Sequence, residues 1–158
     1  MSFADTGCDG IDGDLADAVF VSGSGDDASP SCSMEAPCKT IKAGLAAAVS
    51  SSKRQVLLQA GTYSEILDLD ATHKGIGIFG GYNTSWSRGF TERTSHKPEI
   101  RGAALADAHG QPLVVRARST EVTLQNLVLL GTNARGYLDG VSGRSSYVIH
   151  AVDRSLGL

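Results

Sequence analysis

The chain has 158 residues, 41% of them hydrophobic, and a formal net charge of −3. That apolar content is enough for one ordinary core, and the charge excludes nucleic acid as the main partner, because a phosphate backbone needs a basic face. No apolar run reaches the roughly 18 residues that a membrane-spanning helix requires, so no membrane span is expected.

Nineteen glycines and few aromatics speak against a helical bundle, since glycine is wanted at tight bends and weakens helix interiors. Charge is unevenly spread: residues 1–38 hold eight acids and no Lys or Arg, so an acidic head precedes a mildly basic body. Residues 1–18 are rich in Asp and Gly. Asp5, Asp9, Asp12 and Asp14 are the candidate metal ligands, because a hard cation such as Ca²⁺ needs several oxygens converging from a tight turn. With Asp5 placed first, Ala16 stands where an EF-hand has its bidentate Glu, so the match to that loop is incomplete. A solvated acidic linker is the alternative.

Residues 18–22 form a short β-type run, followed by a Gly-, Ser- and Asp-rich loop. Cys32 and Cys38 sit in that loop at a spacing that closes a small disulfide ring, and Cys8 is left over. Three unrelated thiols are the other reading. Residues 1–10 lack the basic and apolar regions of a signal peptide, and the expectation of a secreted or cell-surface protein leans on the cysteines.

Thr40 suits a helix N-cap, and Ile41, Leu45, Ala48 and Val49 fall at helical spacing, which predicts a short amphipathic helix over 41–50. From Gln55 onward the pattern changes to short β runs at 56–60, 65–69, 75–79, 99–101, 113–117, 122–125, 127–130 and 147–152. No long helix separates them, which argues against βαβ units and leaves a sandwich or a solenoid. Three runs stop at Gly80, Gly102 and Asn126, residues that tolerate a left-handed backbone, 22 and then 24 residues apart. A bend repeated at that interval predicts stacked coils.

The run Val56-Leu57-Leu58-Gln59-Ala60-Gly61-Thr62-Tyr63-Ser64-Glu65 resembles the "apolar strand, Ala-Gly-Thr-Tyr, acid" signature of pectin-lyase-like β-helices in exported bacterial proteins. Pro37-Cys38-Lys39-Thr40-Ile41 is similar to the start of their capping helix, and Phe79-Gly80-Gly81-Tyr82 with Trp86 and Arg88 to a stretch that often follows. The head resembles the Asp/Asn-rich calcium loops that precede such domains. The resemblance covers about residues 19–131. It implies an all-β fold, a right-handed single-stranded parallel β-helix with a short N-terminal capping helix. The expected organisation is a calcium-loop-like segment over 1–18 and the N-terminal part of the β-helix domain over 19–158, truncated at its C-terminus.

In that family the active groove runs outside one sheet, and acidic and Arg side chains there bind anionic sugars. The equivalents implied here come from Arg116, Arg118, Arg135, Tyr137, Asp139, Arg144, Asp153 and Arg154. Tyr82, Trp86 and Arg88 could stack on a sugar ring, or they could cover the edge between cap and first coil. His73, His96 and His109 lie singly in turns, and His150 shares a strand face with Val148 and Val152. No set of acid, base and nucleophile emerges. The expected function is a secreted or cell-surface module that contacts polysaccharide or a cell-surface component, or is structural, with Ca²⁺ as cofactor. The alternatives are a fragment of a lyase or hydrolase acting on acidic polysaccharide, and self-association through the open solenoid end.

Overall fold

The computed structural model describes residues 14–88, 95–104, 112–133 and 146–152. A 3-10 turn, Leu15–Asp17, leads into β1 (Ala18–Val21), whose four apolar residues are all buried. After the loop that carries the cysteines comes α1 (Ile41–Ser51), and then a series of short strands. These are β2 (Gln55–Gln59), β3 (Thr62–Ser64), β4 (Leu67–Leu69), β5 (Gly77–Tyr82), β6 (Glu99–Arg101) and β7 (Ala103–Ala104). They continue as β8 (Pro112–Arg118), β9 (Thr123–Gln125), β10 (Val128–Leu130) and β11 (Tyr147–Val152).

Helix α1 starts where Thr40 caps it, its Oγ1 accepting from the Ala43 amide at 3.1 Å. It ends at Ser52, which takes the left-handed conformation with φ 58°. Its buried face is Ile41, Gly44, Leu45, Ala47 and Ala48. Gly44 is required by contact, because a Cβ there would stand 2.5 Å from Cγ2 of the buried Val21.

The strands form three sheets, ordered β1-β2-β5-β9, β10-β6-β3 and β11-β8-β4. Every pairing along these orders is parallel. From β2 onward successive strands fall in the three sheets in rotation, apart from β7, which pairs with β8, and the parallel connection from β1 to β2 runs through α1. The first sheet is covered on both faces. Val19, Val21, Val56 and Leu58 point into the main core with Leu67, Leu69, Ile78, Ile100 and Val115, while Phe20 and Leu57 join Ala18, Tyr82 and Trp86 in a second cluster. Burial on both faces explains why β1 and β2 read as unbroken apolar runs.

This corrects the expectation of an all-β, right-handed single-stranded parallel β-helix of even coils. The described sheets are open, each with two edge strands, and α1 contributes five buried residues, so the class is parallel sheets plus a helix. The register shows no constant repeat. In the first sheet Ala18 lies opposite Gln55, Gln55 opposite Gly77 and Gly77 opposite Thr123, offsets of 37, 22 and 46 residues. In the third sheet Leu67 lies opposite Val115 and Leu113 opposite Tyr147, offsets of 48 and 34. One pair, β7 with β8, is antiparallel.

The three bends also differ in place and cause. Gly80 packs against the Asn126 carbonyl in the first sheet, whereas Gly102 follows β6 in the second and packs against the Leu113 carbonyl. Both glycines are needed for close approach. At these bends the left-handed backbone falls on Asn126, at φ 55°, and on Gly81 rather than Gly80, at φ 94°, where β5 carries an extra residue against β2.

Candidate functional site

Alternation along two strands places three charged residues on one surface. In β4 Leu67 and Leu69 are buried, which turns Asp68 outward; in β8 Val115 and Ala117 are buried, which turns Arg116 and Arg118 outward. Parallel pairing sets Asp68 opposite Arg116. Arg116 then donates from Nε to Asp68 Oδ1 at 3.0 Å and from Nη2 to Oδ2. Arg118 Nη2 reaches Oδ1 at 3.2 Å. The hydrogen bond from Arg116 holds the Asp68 carboxyl below the usual carboxylate range against some desolvation, and the charges of both arginines add to it.

The next strand extends this row. His150 of β11 lies opposite Arg116, and the His150 ring sits 5.1 Å from the ring centre of Tyr147. Tyr147 is 38% exposed and Arg118 50% at its side chain, so the surface of the third sheet presents an aromatic pair beside two braced arginines. Asp68 offsets one of the two guanidinium charges, which leaves the patch positive. Bidentate guanidinium geometry suits carboxylates, and exposed aromatic faces suit the apolar faces of ligands.

On the other side of Asp68 a pocket of about 270 Å³ opens between α1 and β4. Its apolar floor is Leu45, Ala46, Ile66 and Leu67, and its rim carries Lys42, Asp68 and His73. His73 closes the 3-10 turn Ala71–His73. Its Nδ1 lies 3.2 Å from the Asp70 amide and 3.0 Å from Asp70 Oδ1. When Nδ1 accepts from the Asp70 amide, the neutral ring carries its proton on Nε2; when an Nδ1–H donates to the carboxylate, the amide loses that acceptor.

The acid of the Ala-Gly-Thr-Tyr signature serves structure. Glu65 accepts from the amides of Ile41 and Lys42, each at 2.9 Å, and so holds the first turn of α1. Burial pushes its carboxyl up, against those two bonds. Asp27 accepts from the Lys39 and Thr40 amides, both at 2.8 Å; here the bonds outweigh the desolvation and the carboxyl stays low. Tyr63 is buried with its hydroxyl 3.0 Å from the Gln59 carbonyl, and burial pushes it well above the ordinary phenol value.

Other sequence-derived candidates fall elsewhere. Tyr82 and Trp86 are buried at 0% and 5% exposure, with Trp86 packed edge-on against Phe20 at 4.8 Å, so their ring faces are closed to a sugar. Arg88 is buried beside them, its guanidinium 5.3 Å from the Tyr82 ring centre. These three residues cover the outer face of the first sheet. Cys32 and Cys38 form a disulfide, as their spacing suggested. Asp14 caps the first 3-10 turn by accepting from the Ala16 amide at 2.9 Å. Asp5, Asp9, Asp12, Cys8, Arg135, Tyr137, Asp139, Arg144, Asp153 and Arg154 lie outside the described residues. Among the described residues no three His, Cys, Asp or Glu side chains group as metal ligands, and no helix is long and apolar enough to cross a membrane.

Of the sequence candidates for ligand contact, the structure brings Arg116 together with Arg118, and it sets His150, which the strand pattern favoured as a buried or ladder histidine, opposite Arg116. Sequence reasoning missed Asp68, Lys42 and Tyr147 as site residues. Leu67-Asp68-Leu69 does show a lone acid on the polar face of a strand, but nothing local says which strand it will meet. No protein-family model matches the chain, and no curated protein or solved structure gives a match to it.

Proposed function

We propose that the chain is a secreted or cell-surface module that binds acidic polysaccharide on the exposed face of its third sheet. One observation carries this reading: Asp68 braces Arg116 and Arg118 in strand register with His150, beside the exposed Tyr147. Arginines fixed by a neighbouring carboxylate lose little side-chain freedom on binding, which favours a ligand with repeated carboxylates. Contacts of Arg118 to Asp68 use Nη2 alone, and its side chain is half exposed. Export is supported by the Cys32–Cys38 disulfide, which persists in oxidising compartments. A calcium site at Asp5, Asp9, Asp12 and Asp14 is part of the proposal, supported by their spacing in the sequence.

Calorimetric titration with polygalacturonate, beside a neutral glucan, tests the reading. Saturable binding to the acidic polymer is expected, weakening with added salt and falling roughly tenfold in Arg118→Ala. Equal binding of the neutral glucan, or none of either, contradicts it. Following the same mixtures for polymer cleavage separates a binding module from a lyase or hydrolase.

A further inference from the structure

We propose that the pocket between α1 and β4 is a separate site for a short aliphatic carboxylate. Its volume of about 270 Å³ lies just below the range of drug-sized sites, roughly 300–1,000 Å³, which suits a smaller molecule. Leu45, Ala46, Ile66 and Leu67 make the floor apolar, which suits a short hydrocarbon body. The rim decides the charge of the ligand. Asp68 spends its lone pairs on Arg116 and Arg118, so it offers little to a second partner. Lys42 and His73 supply the donors: an ammonium with three N–H groups, and a ring that carries its proton on Nε2 when Nδ1 accepts from the Asp70 amide. Glu65 feels the charge of Lys42, and both its oxygens are committed to backbone amides. An apolar floor under two donors accepts a molecule with one anionic end and a few carbons. A fully hydrated anion such as phosphate gains nothing from that floor. The site shares only Asp68 with the glycan face, and Lys42 and His73 lie apart from it, so the two readings fail separately.

Ligand-observed NMR on the full chain, with butyrate, n-butanol and inorganic phosphate as probes, tests the assignment. Butyrate should bind saturably and should compete with neither the acidic polymer nor its salt dependence. Lys42→Ala should weaken it roughly tenfold, the loss of one charge-assisted hydrogen bond, and Lys42→Arg should restore most of that. Lys42 is exposed and its amide keeps its bond to Glu65 in both variants, so the fold is retained. His73→Ala, a second route, should also weaken butyrate. Binding of butanol or phosphate as tight as that of butyrate overturns the proposal. So does butyrate binding that neither variant changes, or no saturable binding at all.

Discussion

Glu65 joins two parts of the chain that are 24 residues apart, because each of its oxygens accepts one amide from the first turn of α1. Replacing it with Ala leaves two helix-end donors unmet. Urea unfolding should show a loss of about 1–2 kcal/mol, the usual cost of a removed cap. Glu65→Gln should cost less than half of that, since the amide oxygen still accepts one bond and burial already disfavours the charge. Asp68 carries a different test. Its folded-state pKa is depressed, so its contribution to stability is present above the ordinary carboxylate pKa of about 4 and is lost as pH falls through the lower folded value. The stability gap between wild type and Asp68→Asn should therefore be full at pH 6 and close on acidification below about pH 4. It is a small gap, because the pair is partly exposed. At this scale the sequence told much: Thr40 as a cap and Asn126 as a left-handed residue follow from what those side chains can do locally. Gly80 and Gly102 were legible as special positions, but their cause, a carbonyl of a distant strand pressed against each, is not written nearby.

Loop and helix at the start of the fold act as one element. The disulfide between Cys32 and Cys38 is buried, and backbone bonds from Phe20 to Cys32 and from Ser22 to Cys38 tie the loop to β1. Closing so short a ring removes little chain entropy. Reduction, or the double replacement Cys32→Ser with Cys38→Ser, should lower stability by about 2 kcal/mol in denaturant melts. A loss below a few tenths of that would mean the backbone bonds alone hold the loop. Helix α1 was legible almost to its ends, because capping residue and apolar spacing are local signals. Strand β3 was not, since Thr62–Ser64 is three residues long and only Tyr63 is buried. Tyr82 and Trp86 show the limit of reading aromatics from sequence: a sugar platform and a core cluster have the same composition, and the packing of Phe20 and Leu57 against them decides.

Among the described residues, three parallel sheets of short strands present both the face proposed for glycan and an exposed edge strand. Short strands and frequent glycines were read correctly, whereas the even repeat was not: a spacing of 22 and 24 residues joined bends that belong to different sheets, while real neighbours are 22 to 48 residues apart. Pairing over such unequal distances depends on the whole core, so the row Asp68, Arg116, His150 could not be assembled from local pattern. The edge strand β11 exposes Tyr147, Val148, Ile149 and Val152 and carries no Lys, Arg, Asp or Glu to discourage pairing. Sedimentation should accordingly show association of copies that rises with concentration, and Ile149→Lys should suppress it; a monomer at every concentration would remove the edge from consideration. The third-sheet face is proposed to take an acidic glycan. Amide chemical-shift mapping during titration with an oligogalacturonate tests it most directly. Saturable shifts are expected at Arg116, Arg118, Tyr147 and His150, with the amides around Phe20 and Tyr82 unmoved. Shifts centred on any other surface, or none at saturating ligand, would contradict it.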